Sequence, residues 1–235
     1  MYTLNSLITY SQVDNAGRIS LSSLVNYFQD AATLDGESCG VGLKYLISNH
    51  MSWLLSYWQI VFDKMPMYND KLEIKSIPYE IKGPFGHRCF LVKNDKGEVL
   101  VRAYSLWTLA DMSAGKALRV PPEIANAYIT GPKIDMDYEP RKLKIPEGGE
   151  KMETFQVGLH MLDTNQHVNN AQYVNIAQNY LPKDFEIGQM RVEYKAQAKL
   201  GDVMVPRLVE YGDRYAIVLE DENCSEYAAV EFRRK

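Results

Sequence analysis

"MLDTNQHVNNAQYVN" (residues 161–175) places Asp163, Asn165, His167, Asn169 and Asn170 within eight positions, directly ahead of an apolar helical pattern. A second stretch, "QVDNAGRISLSSLVN" (12–26), repeats its outline when shifted by 149 positions. Asp14 falls on Asp163, Ile19 on Val168, Val25 on Val174, Asn26 on Asn175, and Gln29, just beyond, on Gln178. Asn165 and His167 instead face Ala16 and Arg18. The chain therefore carries one turn-and-helix unit twice, with the chemically equipped side chains in the second copy.

Outward from the first turn, Ser20, Ser22 and Ser23 are capping residues. Leu21, Leu24, Val25, Phe28, Ala31 and Ala32 then recur at helical spacing, which predicts an amphipathic helix of about three to four turns, ended by "DGESCGVG" (35–42). Strand-like segments follow at 52–63, 70–83, 86–95 and 97–111, the last two joined across Asp95-Lys96-Gly97, a hairpin signature. Residues 112–150, with five prolines and Gly148-Gly149, read as a connection lying across the surface and holding short helical turns. The second copy adds a strand at 150–160, a helix from about Asn169 to Tyr180 and strands at 189–200, 202–211, 214–221 and 226–234. Asp70 before the second strand of one half echoes Asp202 in the other. Helices followed by several strands of period two predict an α+β fold, an antiparallel sheet with a helix on its face.

The 235 residues, 46% hydrophobic with a net charge of −4, suit one large domain or two small ones and leave no basic footprint for nucleic acid. No run of about 18 apolar residues offers a membrane span. The N-terminus lacks the pattern of a secretory signal. Three scattered cysteines, Cys39, Cys89 and Cys224, argue against a disulfide framework and fit a reducing cytoplasm.

Asp and Asn ahead of a helix satisfy orphan backbone N–H groups, each worth about 1 kcal/mol. Asp14 supports such a turn-shaping role for Asp163. Asn165 and His167 have no counterpart in the first copy. If residues 163–167 are extended, side chains at i, i+2 and i+4 share a face, so Asp163, Asn165 and His167 converge. A carboxylate beside an imidazole fixes its tautomer or stabilises its charged form. The helix N-terminus would add free N–H groups near Val168 to Asn170 for a developing oxyanion. These are parts for water attack on an acyl group. A Gly-x-Ser-x-Gly elbow is absent, and His50, His87, His160 and His167 have no metal-ligand spacing. The aromatic "WLLSYW" (53–58) suits core packing or the lining of an apolar tunnel.

The motif "DTNQHVNN", followed by Tyr173, resembles that of the acyl-ACP thioesterases of fatty-acid synthesis. Further likeness lies in "LVNYFQDAA" (24–32), "SWLLSYWQIVFDKMPMYND" (52–70), "EVLVRAYSLW" (98–107), "RVPPEI" (119–124) and "VEYKAQAKLGD" (192–202). The resemblance implies tandem hotdog domains, each a long helix wrapped by a curved antiparallel sheet. It places an N-terminal acyl-binding domain at 1–125, a linker at 126–150 and a catalytic domain at 151–235. It implies hydrolysis of fatty acyl-ACP thioesters by water, with Asp163, Asn165 and His167 in catalytic roles and no metal or organic cofactor. Many family members carry a Glu where this chain has Gln197, an amide that orients water but cannot take its proton. Glu193 on a regular strand would lie ~13 Å away at roughly 3.3 Å per residue. Asp163 or His167 is then the expected base, with Gln197 positioning the water.

The expected partner is acyl carrier protein, an acidic protein, docking on basic residues such as Arg88, Arg102, Lys116, Arg119 or "RKLK" (141–144). A monomer or a homodimer is compatible with two fused domains. The rival expectations are an acyl-CoA thioesterase and a non-catalytic acyl-binding protein.

Overall fold

The computed structural model describes residues 1–235. The chain divides into two compact units: Met1–Ser56 with Ile60–Asp137, and Tyr57–Gln59 with Tyr138–Lys235.

The first unit contains β1 (Tyr2–Leu7), α1 (Leu21–Ser38), α2 (Leu43–Ser48), β2 (Met51–Phe62, apart from its Tyr57–Gln59), β3 (Lys71–Lys82), β4 (Phe85–Asn94), β5 (Val99–Asp111), β6 (Lys116–Ala117) and α3 (Pro122–Ala127). Its sheet runs β1-β3-β4-β5-β2, with β6 on β5. The Asp95-Lys96-Gly97 turn forms as expected: Asn94 Oδ1 accepts from Lys96 N–H (3.1 Å) and Glu98 N–H (2.9 Å), and Gly97 takes φ +79°. Ser20 caps α1, whose Leu21, Leu24, Val25, Phe28 and Ala31 are buried, with Phe28 meeting Phe90 at 4.9 Å.

Helix α1 is longer than its sequence suggests, because Asp35 and Gly36 lie inside it. Asp35 is fully buried and held by Arg88 Nη1 at 2.5 Å. Gly36 is a close-approach residue, since a Cβ there would stand 3.1 Å from the Tyr128 hydroxyl. The helix ends at Ser38 with Cys39 as its cap, and the chain turns away at Gly40, whose φ of +75° costs a glycine little.

The second unit contains β7 (Glu150–Lys151), β8 (Phe155–Gln156), α4 (Asn170–Gln178), β9 (Ile187–Tyr194), β10 (Val203–Tyr211), β11 (Arg214–Glu220) and β12 (Glu226–Arg234). Its sheet runs β9-β12-β11-β10-β7, with β8 also on β10. The strand expected at 150–160 is only the short pieces β7 and β8, followed by a 3-10 turn at Leu159–Met161.

The two faces of this sheet differ. Tyr194, Val192 and Met190 pair with Ala228, Val230 and Phe232, and Tyr194 meets Tyr173 of α4, so this apolar face carries the helix. The alternate residues include Arg191 and Glu231, a buried ion pair. Connection residues strap across that second face. Glu139 bonds Gln189, Arg191, Arg214 and Arg233, while Leu143 packs on Val218 and Ala229. Burial raises the Glu139 carboxyl, but hydrogen bonds from Arg214 and Gln189 outweigh it and leave the group below its ordinary range.

The strand expected at 189–200 stops at Tyr194. Lys195 and Ala196 both donate N–H to Tyr227 O (2.8 and 3.1 Å), which kinks the chain out of the ladder. The spacing argument between Glu193 and Gln197 therefore does not apply. Glu193 instead accepts from Leu143 N–H on the strap, at 3.2 Å.

Candidate active site

The segment 163–167 is a closed turn, not the extended run on which convergence of Asp163, Asn165 and His167 was expected. Asp163 N–H donates to His167 O (2.7 Å) and Gln166 N–H to Asp163 O (3.1 Å). Gln166 adopts φ +63°, which closes the loop. Asp163 Oδ1 accepts from Asn165 N–H (2.8 Å) and His167 N–H (3.2 Å). The carboxylate thus holds the turn that carries the other two residues, rather than pairing with the imidazole.

Asn165 lies exposed on the turn. His167 is half-buried, and its Nδ1 is buried without a hydrogen-bond partner.

The helix N-terminus is less available than expected. Val168 N–H donates to Ala198 O (2.9 Å) and Asn169 N–H to Met161 O (2.9 Å). Asn169 serves as the cap, its Oδ1 accepting from Ala171 N–H at 2.9 Å.

Gln197 is exposed, on the segment after β9. His167 pairs with Lys199 in an antiparallel bridge, and Val168 N–H bonds Ala198 O, so Gln197 stands two residues before the partner of His167.

Behind the turn, the buried Tyr173 hydroxyl accepts from Ala198 N–H (3.0 Å), and Tyr194 O–H donates to Asn170 O (3.0 Å). Burial pushes Tyr173 up to about 12. The sequence offers Tyr173 as a buried-face residue of the second helix and as part of the motif, not as a hydrogen-bond acceptor. The repeat held the signal for more, since the shift of 149 sets Leu24 against Tyr173.

In the first unit, a cavity of about 120 Å³ is lined by Val41, Leu46, Trp53, Ile81, Trp107 and Tyr128, with His87 and Arg88 as polar wall. Arg88, expected on the surface as a docking residue, is 7% exposed and bound to Asp35 and Ser76. Arg102 pairs with Asp63. Lys116, Arg119, Arg141, Lys142 and Lys144 are exposed. No three His, Cys, Asp or Glu side chains gather as a metal site, and no helix is long and apolar enough to cross a membrane.

The family model of the acyl-ACP thioesterase N-terminal domain matches residues 1–128, and that of the C-terminal domain matches residues 146–232. The chain belongs to the acyl-ACP thioesterase family. It is 24% identical over 203 residues to a chloroplastic acyl-[acyl-carrier-protein] hydrolase of Cuphea viscosissima, covering 79% of this chain and 48% of that one. To a chloroplastic oleoyl-acyl carrier protein thioesterase of Arabidopsis thaliana it is 25% identical, covering 66% of this chain and 46% of that one. The chain thus spans about half the length of the curated relatives it matches. Among solved structures, an acyl-ACP thioesterase from Bacteroides thetaiotaomicron superposes with a TM-score of 0.92 at 19% identity, covering 99% of this chain and 97% of that one. A 12:0-ACP thioesterase from Umbellularia californica gives 0.85 at 21% identity, covering 100% and 96%. The acyl-ACP thioesterase family fold, two hotdog units in one chain, is the fold of this protein.

Proposed function

We propose that this chain hydrolyses fatty acyl-ACP thioesters to free fatty acid and carrier protein. The observation that carries the reading is the buried, unpartnered Nδ1 of His167, on a turn that also presents Asn165. In this reading Asp163 keeps the turn closed and His167 is the general base. Gln197 orients the attacking water, and Asn165 hydrogen-bonds the thioester carbonyl. Water oxygen attacks the carbonyl carbon as His167 takes its proton. The C–S bond then breaks, and the departing thiolate of the carrier's phosphopantetheine takes that proton back.

We assign acyl binding to residues 1–125, a linker to 126–150 and the chemistry to 151–235. The first-unit cavity supports the acyl role. A cavity of ~150 Å³ admits a benzene, so about 120 Å³ suits one segment of a chain. The exposed Lys116, Arg119, Arg141, Lys142 and Lys144 offer positive charge to an acidic carrier protein. Three cysteines, none of them in a disulfide, support a reducing compartment such as the cytoplasm.

The test is thiol release from a panel of acyl-ACP and acyl-CoA substrates. The expected result is preferential turnover of acyl-ACP, lowered about 10²- to 10⁴-fold by His167→Ala and about 10-fold by Gln197→Ala. Turnover confined to acyl-CoA selects the rival thioesterase. Tight acyl binding with no turnover of either selects a binding protein.

A further inference from the structure

We infer that Tyr173 is a positioning residue for this hydrolysis and that it acts through the backbone of Ala198. The inference rests on the thioesterase reading above. Ala198 is held from two sides. Its carbonyl accepts from Val168 N–H at 2.9 Å, and its N–H donates to the Tyr173 hydroxyl at 3.0 Å. Lys199, the next residue, bridges to His167, and the preceding residue is Gln197. One hydroxyl therefore anchors the segment that runs beside His167 and carries the water-orienting amide.

The hydroxyl itself is fixed in place. Tyr173 is 2% exposed and lies in the first turn of α4. Its ring meets that of Tyr194 edge-on at 5.8 Å. Tyr194 is in turn tied to the same helix turn by its bond to Asn170 O. Packing and a second hydrogen bond thus lock the side chain that holds the segment, as a precise site requires.

The first copy is the internal control. The shift of 149 sets Leu24 at the place of Tyr173. On the strand side the shift is 132, the difference between Asp202 and Asp70, and it sets Pro66 at the place of Ala198 and Phe62 at that of Tyr194. The scaffold bonds are the same in both copies. Ile19 N–H reaches Pro66 O at 2.9 Å, as Val168 N–H reaches Ala198 O. Met67 N–H reaches Asp70 Oδ2 at 2.8 Å, as Lys199 N–H reaches Asp202 Oδ2 at 2.8 Å. What the first copy lacks is the tyrosine-to-backbone bond. Leu24 has no acceptor and Pro66 has no N–H. The turn, helix and strand therefore assemble without that bond. It occurs in the copy that carries Asn165 and His167, where an error of about 1 Å costs on the order of 10²-fold in rate.

The test measures kcat and KM for acyl-ACP hydrolysis, with melting temperatures, for wild type, Tyr173→Phe, Ala198→Pro and the double variant. Tyr173→Phe keeps the ring and its contact with Tyr194 and removes only the acceptor. The expected result is a fall in kcat of about 10- to 100-fold with KM within about 2-fold. Ala198→Pro should lose a similar factor. The double variant should be no worse than the worse single one, since both remove the same bond. Full kcat in Tyr173→Phe, or losses that multiply in the double variant, overturns the inference and leaves the thioesterase reading intact. So does a fall in melting temperature of more than about 10 °C in Tyr173→Phe, which makes the bond structural. A wild-type protein with no turnover of any acyl-ACP overturns both.

Discussion

The turns at 14–18 and 163–167 are built on the same bonds and end in different chemistry. In the first, Asp14 N–H reaches Arg18 O at 2.8 Å, Gly17 N–H reaches Asp14 O at 3.0 Å, and Asp14 Oδ1 accepts from Ala16 and Arg18 N–H at 2.8 and 3.0 Å. Each of these has its counterpart around Asp163. The copies part at the side chains. Arg18 Nε closes on Asp14 Oδ2 at 2.9 Å, whereas His167 leaves Asp163 Oδ2 alone and its own Nδ1 unpartnered. An aspartate in both copies thus belongs to the architecture. The asparagine and histidine of one copy are what the architecture presents.

The largest expected effect comes from making the second turn read like the first. Asn165→Ala with His167→Arg should lower acyl-ACP thiol release by about 10³-fold or more. The melting temperature should stay within a few degrees, because the guanidinium introduced beside Asp163 can close on it as Arg18 does on Asp14. A collapse in melting temperature would break the comparison, showing that His167 holds the fold.

A smaller effect separates the two aspartates. Asp14→Ala and Asp163→Ala each leave two backbone N–H groups without their acceptor, so each should cost about 1–3 kcal/mol, read by denaturant melts. Asp163→Ala alone should also lower kcat, by roughly 10²-fold, as the loop bearing His167 loosens. Asp163→Asn keeps an oxygen acceptor and should retain most activity. If it loses as much as His167→Ala, the carboxylate takes part in the chemistry and the parallel between the two aspartates ends at the backbone.

These contrasts were partly legible in the sequence. The order of helices and strands follows from local patterns, with the Asp95-Lys96-Gly97 turn and the capping serines marking boundaries. What stayed hidden depends on distant partners or on unusual backbone. Arg88 reads as a surface strand residue because its partner Asp35 is 53 positions away. Gly36 reads as a helix stop, but its role is to admit the Tyr128 hydroxyl. The alternation through "VEYKAQAKL" gives no hint that Tyr227 kinks the chain after Tyr194. Asn165 and His167 stood out by the absence of counterparts. Their geometry did not, because a glutamine in left-handed backbone at 166 carries no sequence signal.

That residue offers the smallest and cleanest comparison of the two copies. Gly17 takes φ +74° and Gln166 takes φ +63°, so both turns need the left-handed region. A side chain there costs roughly 1–2 kcal/mol, offset by the ~0.5–1 kcal/mol of extra chain entropy that a glycine loses on folding. A Cβ at position 17 would meet only Met67 Cε, at 4.0 Å, so conformation rather than space sets the difference. Gln166→Gly should therefore raise stability by about 1 kcal/mol or less, a gain of about 1–4 °C in melting temperature. Gly17→Gln should lose a similar amount. Activity of Gln166→Gly should stay within about 3-fold of wild type, since the bonds from Asp163 still close the turn. If the melting temperature falls instead, the Gln166 side chain is engaged in holding the turn. The second copy would then differ from the first in its scaffold as well as in its chemistry.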